Sequence, residues 1–395
     1  MLENLKTEPP DPILSLIDML RADKRPDKID LGVGVYVDDF GRTPVMEAVK
    51  KAEKKLYGEQ TSKAYVASIG DAGFTALVRE LVFGEALSKT LGARMAGFQA
   101  AGGMAALRLG GEVLKRAGCE SVWMGRPTWA IHAPVIGASG LAVRWHDYFD
   151  PATQTVQFDA MMSALGGAKK GEAVLLHACC HNPSGADLGI AQWRALAELV
   201  HQRGLIPFID LAYQGLGDGI EEDVAGLRVM IEAAPEAVVA VSESKTFGLY
   251  RERTGALFLL AKDAQTAGVA LSNGLVAARV AYSMPPDHGA AIVRTVLEDE
   301  AMKRSWRREL GAMRARIKSL RAVLADRAAA AGLDLESVRG QRGMFSMLSL
   351  TPEQVLTLRA THGVYMPENG RINIAGISPE RIDALAEKLR QVMAR

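Results

Sequence analysis

The sequence is poor in the features that mark several protein classes. Cysteine occurs three times in 395 residues, as Cys119 and the adjacent Cys179 and Cys180. An odd number with two neighbouring thiols is a poor disulfide framework and points to a reducing cytoplasm. No CxxC spacing suggests a metal site. An excess of charge of one sign is missing too: 47 Lys and Arg stand against 46 Asp and Glu, a net charge of +1. No global field therefore favours nucleic acid or an anionic membrane. No apolar run approaches the length of a bilayer span. The N-terminal MLENLKTEPPDP has no apolar signal core. There is no internal repeat and no low-complexity linker. What is present, 48% hydrophobic and 24% charged residues, is ordinary for a globular enzyme. The length is enough for a large core and two domains.

Between about residue 95 and residue 260, short apolar runs alternate with helical stretches. SVWMG (121–125), AVLLHA (173–178), LIPFID (205–210), AVVAVS (237–242) and ALFLLA (256–261) read as buried strands. AQWRALAELVHQRG (191–204) has helical spacing and a closing glycine. MAALRLGGEVLKRAG, after Gly102 and Gly103, reads as another helix. Alternation of this kind predicts a mostly parallel α/β sheet. Glu298 to Ala331 is rich in Ala, Leu, Arg, Glu and Met and is interrupted only by Gly311. It reads as one long or kinked helix, or as two. The first 45 residues do not make a domain alone and are expected to join the C-terminal part in space.

Ligands of open α/β sheets sit at the carboxyl ends of the strands. Three consecutive apolar runs end in groups that suit a charged aromatic cofactor. After AVLLHA comes CCHNPSG, after LIPFI come Asp210 and Tyr213, and after AVVAV come Ser242 and Lys245, with Arg253 beyond. Each has a bland alternative: a strand-end Asp is often a cap, NPSG is a turn, and a single Lys is usually a solvated charge. Together their order and types fit one cofactor.

HNPSGA, FIDLAYQG and SESKTFGLYRERTGA, in that order, resemble the class I aminotransferases, in the aspartate/aromatic branch. DPILSLIDMLRAD, KIDLGVGVYVDDFGRTPV, AYSMPPDHGA, RGMFS and GRINIAG extend the likeness over nearly the whole chain. The resemblance implies the aspartate-aminotransferase fold (fold type I), pyridoxal 5′-phosphate, and a homodimer with active sites at the subunit interface. It implies a large domain over 45–311, with 1–44 and 312–395 forming a smaller α/β domain. Lys245 matches the Schiff-base lysine and Asp210 the partner of the pyridine nitrogen. Tyr213 and Asn182 match the residues at the phenolic oxygen, Trp129 the stacked aromatic, and His132 the histidine that orients the aspartate. Ser242, Arg253 and the Gly102-Gly103-Met104 turn match the phosphate site. Tyr65 matches a phosphate ligand taken from the partner subunit. Arg371 matches the arginine for the substrate α-carboxylate, with Gly34 near the same group. Arg279 aligns with the arginine for a distal carboxylate.

The sequence departs from that pattern at several places. Met104 replaces a hydroxyl residue of the phosphate turn. Val37, Ala64 and Met284 stand where aspartate-preferring members commonly carry Lys, Asn and Asn. Ile131, Arg126, Glu243 and Thr246 are further changes around His132 and Lys245. The expected reaction is transfer of the amino group of an aromatic amino acid or aspartate to 2-oxoglutarate by a ping-pong mechanism. Aromatic donors are slightly favoured, because the substitutions are apolar. A strict aspartate aminotransferase is the alternative. A non-enzymatic regulator of this fold would carry an added DNA-binding segment, which is not visible, and a related lyase or decarboxylase is a third reading. A dinucleotide site at Gly32 and Gly34 fails because the third glycine would fall at Val37.

Overall fold

The computed structural model describes residues 1–7 and 12–393. Residues 8–11, which include the start of DPILSLIDMLRAD, lie outside the described residues, as do the last two.

Seven strands form the central sheet: β1 (Met95–Ala100), β2 (Ser121–Arg126), β3 (Ala142–Asp147), β4 (Ala173–His177), β5 (Ile206–Leu211), β6 (Ala237–Ser242) and β7 (Gly255–Leu260). Their spatial order is β1-β7-β6-β5-β4-β2-β3. Neighbours from β6 to β3 are parallel, and β7 is antiparallel to both β1 and β6. The five expected apolar runs are all strands, with ends displaced by no more than one residue. Every residue of β6 and β7 is buried. Helices cover both faces of such a sheet, so the strands read as continuous apolar runs rather than alternating ones.

Helix α1 (Gly102–Arg116) begins two residues after β1 and packs on β6 and β7. Its two leading glycines lie inside the first turn, whereas the sequence placed them before it. The approach is close, since a Cβ on Gly110 would meet the Phe208 ring at 2.8 Å. Helix α2 (Ile190–Arg203) ends at Gly204, whose φ of 62° is the left-handed C-cap that glycine adopts freely. Helix α3 (Ala264–Tyr282) follows β7.

Helix α4 (Glu300–Ala330) runs unbroken for 31 residues, straight through Gly311. A helical glycine costs about 1 kcal/mol relative to alanine. Burial of Leu310 and Met313 on either side of it offsets that cost. Trp306 of α4 is fully buried and stacks on Phe247, with centroids 4.6 Å apart and planes 6° from parallel. Its Nε1 donates to the Thr246 carbonyl at 2.9 Å. This pair fixes the chain that carries Lys245.

The N-terminal stretch returns to the C-terminal part: Ile29–Asp30 pairs in parallel with Val364–Tyr365. A second ribbon pairs Phe345–Met347 antiparallel with Arg371–Asn373, setting Met347 opposite Arg371. No helix among the described residues is long and apolar enough to cross a membrane.

Candidate active site

Strand order reverses between β2 and β4, and crevices for ligands open at the carboxyl edge of such a switch point. A cavity of about 290 Å³ lies there. Its walls include Gly34, Gly103, Met104, Trp129, Asn182, Asp210, Tyr213, Ser242, Lys245, Arg253 and Arg371. Eleven of the residues expected from sequence thus share one space, delivered by five strand ends and two distant segments.

Asp210 is buried near the end of β5, opposite His177 of β4. His132 Nε2 lies 3.1 Å from Asp210 Oδ2, and His132 Nδ1 lies 2.8 Å from Thr128 Oγ1. His132 therefore stands behind the aspartate rather than in the cavity wall. Burial pushes the Asp210 carboxyl up, but the His132 hydrogen bond and the charges of His132, His177 and Lys245 outweigh it. The group ends below its usual value of 3.8 and stays ionised. Tyr213 follows β5, and Asn182 Nδ2 donates to its hydroxyl at 3.3 Å. Burial, and then the Asp210 charge, hold the Tyr213 phenol well above its ordinary range.

Lys245 comes three residues after β6, and its Nζ lies 5.0 Å from the Tyr213 ring centroid. Burial lowers its pKa below 10.5, and Arg253 adds to the shift against the opposing pull of Asp210. Both effects favour the neutral amine that a nucleophile requires.

The start of α1 is shaped as a cradle. A Cβ on Gly102, whose φ is +81°, would lie 2.5 Å from Arg253 Nη2, and one on Gly103 would lie 2.7 Å from Ser242 Cβ. Only glycine allows the arginine and serine to approach the helix N-terminus, where free N–H groups and the helix dipole favour an anion. Met104 lines the cavity beside them and is half exposed.

Across the cavity, Arg371 is buried, and its Nη2 donates to the Gly32 carbonyl at 2.7 Å. Its Nε is buried without a partner. The guanidinium carbon lies 4.5 Å from the Phe345 ring centroid. Phe345 also meets Tyr213 edge-on, with centroids 6.0 Å apart.

Two expected site residues lie elsewhere. Tyr65 is 93% exposed and Arg279, near the end of α3, is exposed; neither borders the cavity of its own chain. Conversely, Leu107, His177, Ala212, Ser244 and Phe345 border it without having been singled out. For Phe345 the one signal was its place in RGMFS. His177 is the last residue of β4, where a strand-end histidine was a readable polar group. Leu107 is one helical turn beyond Gly103 and was legible only as a core position.

The pattern of the family Aminotransferase class I and II matches residues 26–389, and the chain belongs to that family. Among relatives, a tyrosine aminotransferase of Rhizobium meliloti (strain 1021) is 49% identical over 388 residues, covering 98% of this chain and 99% of that protein. An aspartate aminotransferase of Escherichia coli (strain K12) is 42% identical over 396 residues, covering all of both chains. Among solved structures, an aromatic-amino-acid aminotransferase from Burkholderia pseudomallei, covalently bound to pyridoxal phosphate, superposes with a TM-score of 0.96 at 39% identity, covering 99% of each chain.

Proposed function

We propose that this protein is a pyridoxal-phosphate-dependent aminotransferase that takes the amino group from aromatic amino acids or aspartate and gives it to 2-oxoglutarate. One observation carries the reading: Lys245, Asp210 and Arg371 line the same cavity, with a glycine-and-arginine cradle at its edge. The residues fit the cofactor. A Cβ would fill the cradle where a phosphate needs room, an ionised buried carboxylate suits a protonated ring nitrogen, and the unpartnered Nε of Arg371 awaits an acceptor. When bound, pyridoxal phosphate supplies an aldehyde for amine exchange and a ring that withdraws electrons.

The chain's own residues divide the remaining work. Lys245 Nζ would hold the cofactor through its aldehyde, and as a free amine it could move the proton at the substrate Cα. Asp210, oriented by His132, keeps the ring nitrogen protonated. Tyr213 and Asn182 would hold the cofactor's phenolic oxygen, and Trp129 would lie against its ring. Ser242, Arg253 and the N–H groups from Gly102 to Met104 hold the phosphate. Arg371 takes the α-carboxylate through two parallel hydrogen bonds, near the Gly34 backbone.

Tyr65 and Arg279 serve the neighbouring copy in a homodimer, Tyr65 at the phosphate and Arg279 at the distal carboxylate; their exposure on the single chain supports this. We assign residues 45–311 to the cofactor domain and 1–44 with 312–395 to a smaller one. The pairing of residues 29–30 with 364–365 supports that division. The three cysteines are free and buried, which suits the cytoplasm.

Aromatic donors are slightly favoured over aspartate, because Met104 and Leu107 put apolar surface beside Trp129. Burying an aromatic side chain against such surface contributes roughly 1.5–3 kcal/mol. Values of kcat/KM for aspartate, phenylalanine and tyrosine with 2-oxoglutarate test the proposal. The aromatic donors should match or exceed aspartate. Strong preference for aspartate returns the protein to a strict aspartate aminotransferase, and no amino transfer at all removes the reading.

A further inference from the structure

Arg321 lies in the middle of the protein with no part in the chemistry assigned above. It projects from α4 and is 1% exposed. Its Nη1 donates to the Val338 carbonyl at 3.1 Å and to Ser346 Oγ at 2.6 Å. Its Nη2 donates to the carbonyls of Arg342 at 3.2 Å, Gly343 at 2.7 Å and Phe345 at 2.6 Å. All five acceptors are neutral. A buried cation without a contacting carboxylate is costly, but these five hydrogen bonds offset that cost, and an apolar side chain in its place would leave the five acceptors without a donor. The fork therefore contributes geometry: it fixes four backbone carbonyls and one hydroxyl relative to α4.

The segment it fixes touches both halves of the cavity. On one side, the Phe345 carbonyl is held by Arg321 while the Phe345 ring lies against Arg371 and edge-on to Tyr213. On the other side, Arg342 N donates to the Gly185 carbonyl at 2.7 Å, and Gly185 N donates to the His181 carbonyl at 2.7 Å. These bonds close the turn that presents Asn182. The fit leaves no room for a side chain at either glycine. A Cβ on Gly185 would lie 2.3 Å from the Phe345 carbonyl oxygen, and one on Gly343 would lie 2.3 Å from Cys180 Cβ. Both glycines have positive φ, 69° and 72°.

We infer that Arg321 is a positioning residue for amino transfer: its guanidinium locks the 342–345 segment between the Asn182 turn and the Phe345–Arg371 pair, so that the ring-oxygen side and the carboxylate side of the cavity keep a fixed separation. The inference rests on the function proposed above. Lysine cannot replace the fork, because a single ammonium cannot reach acceptors on both sides of a planar group.

The test uses the cofactor-loaded protein as wild type, Arg321→Met and Arg321→Lys. Tm and cofactor content establish that each is folded and loaded. The kcat and KM for phenylalanine and aspartate follow, with the Kd of 3-phenylpropanoate, a carboxylate that lacks the amino group. Arg321→Met should raise KM and the 3-phenylpropanoate Kd together, by about tenfold or more, since a misplacement of about 1 Å can cost a hundredfold. Arg321→Lys should restore Tm more than it restores either constant. Folded, loaded Arg321→Met with both constants unchanged means that the residue is structural only and overturns the inference. If Arg321→Met does not fold, unchanged constants in Arg321→Lys overturn it equally. Wild type that binds 3-phenylpropanoate but transfers no amino group defeats the functional reading instead, and the Kd arm still reports on Arg321.

Discussion

The Asp210 carboxylate meets His132 Nε2 at 3.1 Å, and both side chains are closed off from solvent. The imidazole's other nitrogen is taken by Thr128, so the ring is held in place from both ends. An aspartate so fixed can hold one proton on a ligand's ring nitrogen throughout the neutral range, because its own pKa lies below 3.8.

Replacing Asp210 by alanine leaves the ligand nitrogen without its counter-charge and His132 Nε2 without its partner. Breaking a buried charge pair costs roughly 3–5 kcal/mol. Asp210→Ala should therefore lose cofactor on gel filtration and fall at least about a hundredfold in kcat. Near-normal turnover with full cofactor content would remove Asp210 from the site.

Lys245 gives a prediction with a definite sign. Its folded pKa lies below 10.5, so between the two values the unfolded chain binds more protons. Stability of the cofactor-free protein then rises with pH up to about 10.5 through this residue and is lowest below the folded pKa. Lys245→Met should be more stable than wild type at pH 7.5 and lose that advantage towards pH 10, as read by urea unfolding of both apo-proteins. The same variant should form no borohydride-stable adduct with the cofactor. An adduct at full yield would place the attachment elsewhere.

The two arginines should fail differently. Arg371→Leu removes two charge-assisted hydrogen bonds to a group that every amino acid and oxo acid carries. It should cost about 3 kcal/mol, roughly a hundredfold in kcat/KM, for all substrates. Arg279→Leu should damage aspartate and glutamate far more than phenylalanine. Selective loss of dicarboxylates from Arg371→Leu would exchange the two assignments.

Trp306 links stability to the site. Trp306→Phe keeps the stack on Phe247 but deletes the hydrogen bond to the Thr246 carbonyl. Leaving that buried acceptor unsatisfied costs about 1–3 kcal/mol. A lower Tm with weaker cofactor retention is expected, measured by thermal unfolding and cofactor titration. Loss of Tm alone would show that the Lys245 segment does not depend on this anchor.

The sequence was most legible where local chemistry and position coincide. Asp210, Ser242 and Lys245 could be located because each follows an apolar run too short and too β-branched for anything but a buried strand. Gly204 marked the end of α2 for an equally local reason, its left-handed φ. Gly311 left one long helix, a kinked one or two helices open, and packing on either side settles it as one long helix. The role of Arg321 was illegible, and that of Phe345 was marked only by RGMFS, for a different reason. Their roles consist of contacts with carbonyls and rings far away in the chain, and no spacing rule encodes those. Met104 lay between: its identity announced a missing hydroxyl, while its half-exposed place on the cavity wall needed the fold.

Tyr65 and Arg279 do not border the cavity of the chain that carries them, and this has a genetic consequence. In the proposed homodimer, Lys245→Ala and Arg279→Leu damage different pockets' worth of parts. A mixed dimer would join an intact lysine from one chain with an intact arginine from the other, and so rebuild one complete pocket beside a doubly broken one. Two inactive alleles expressed together should then support growth on a dicarboxylic donor that neither supports alone.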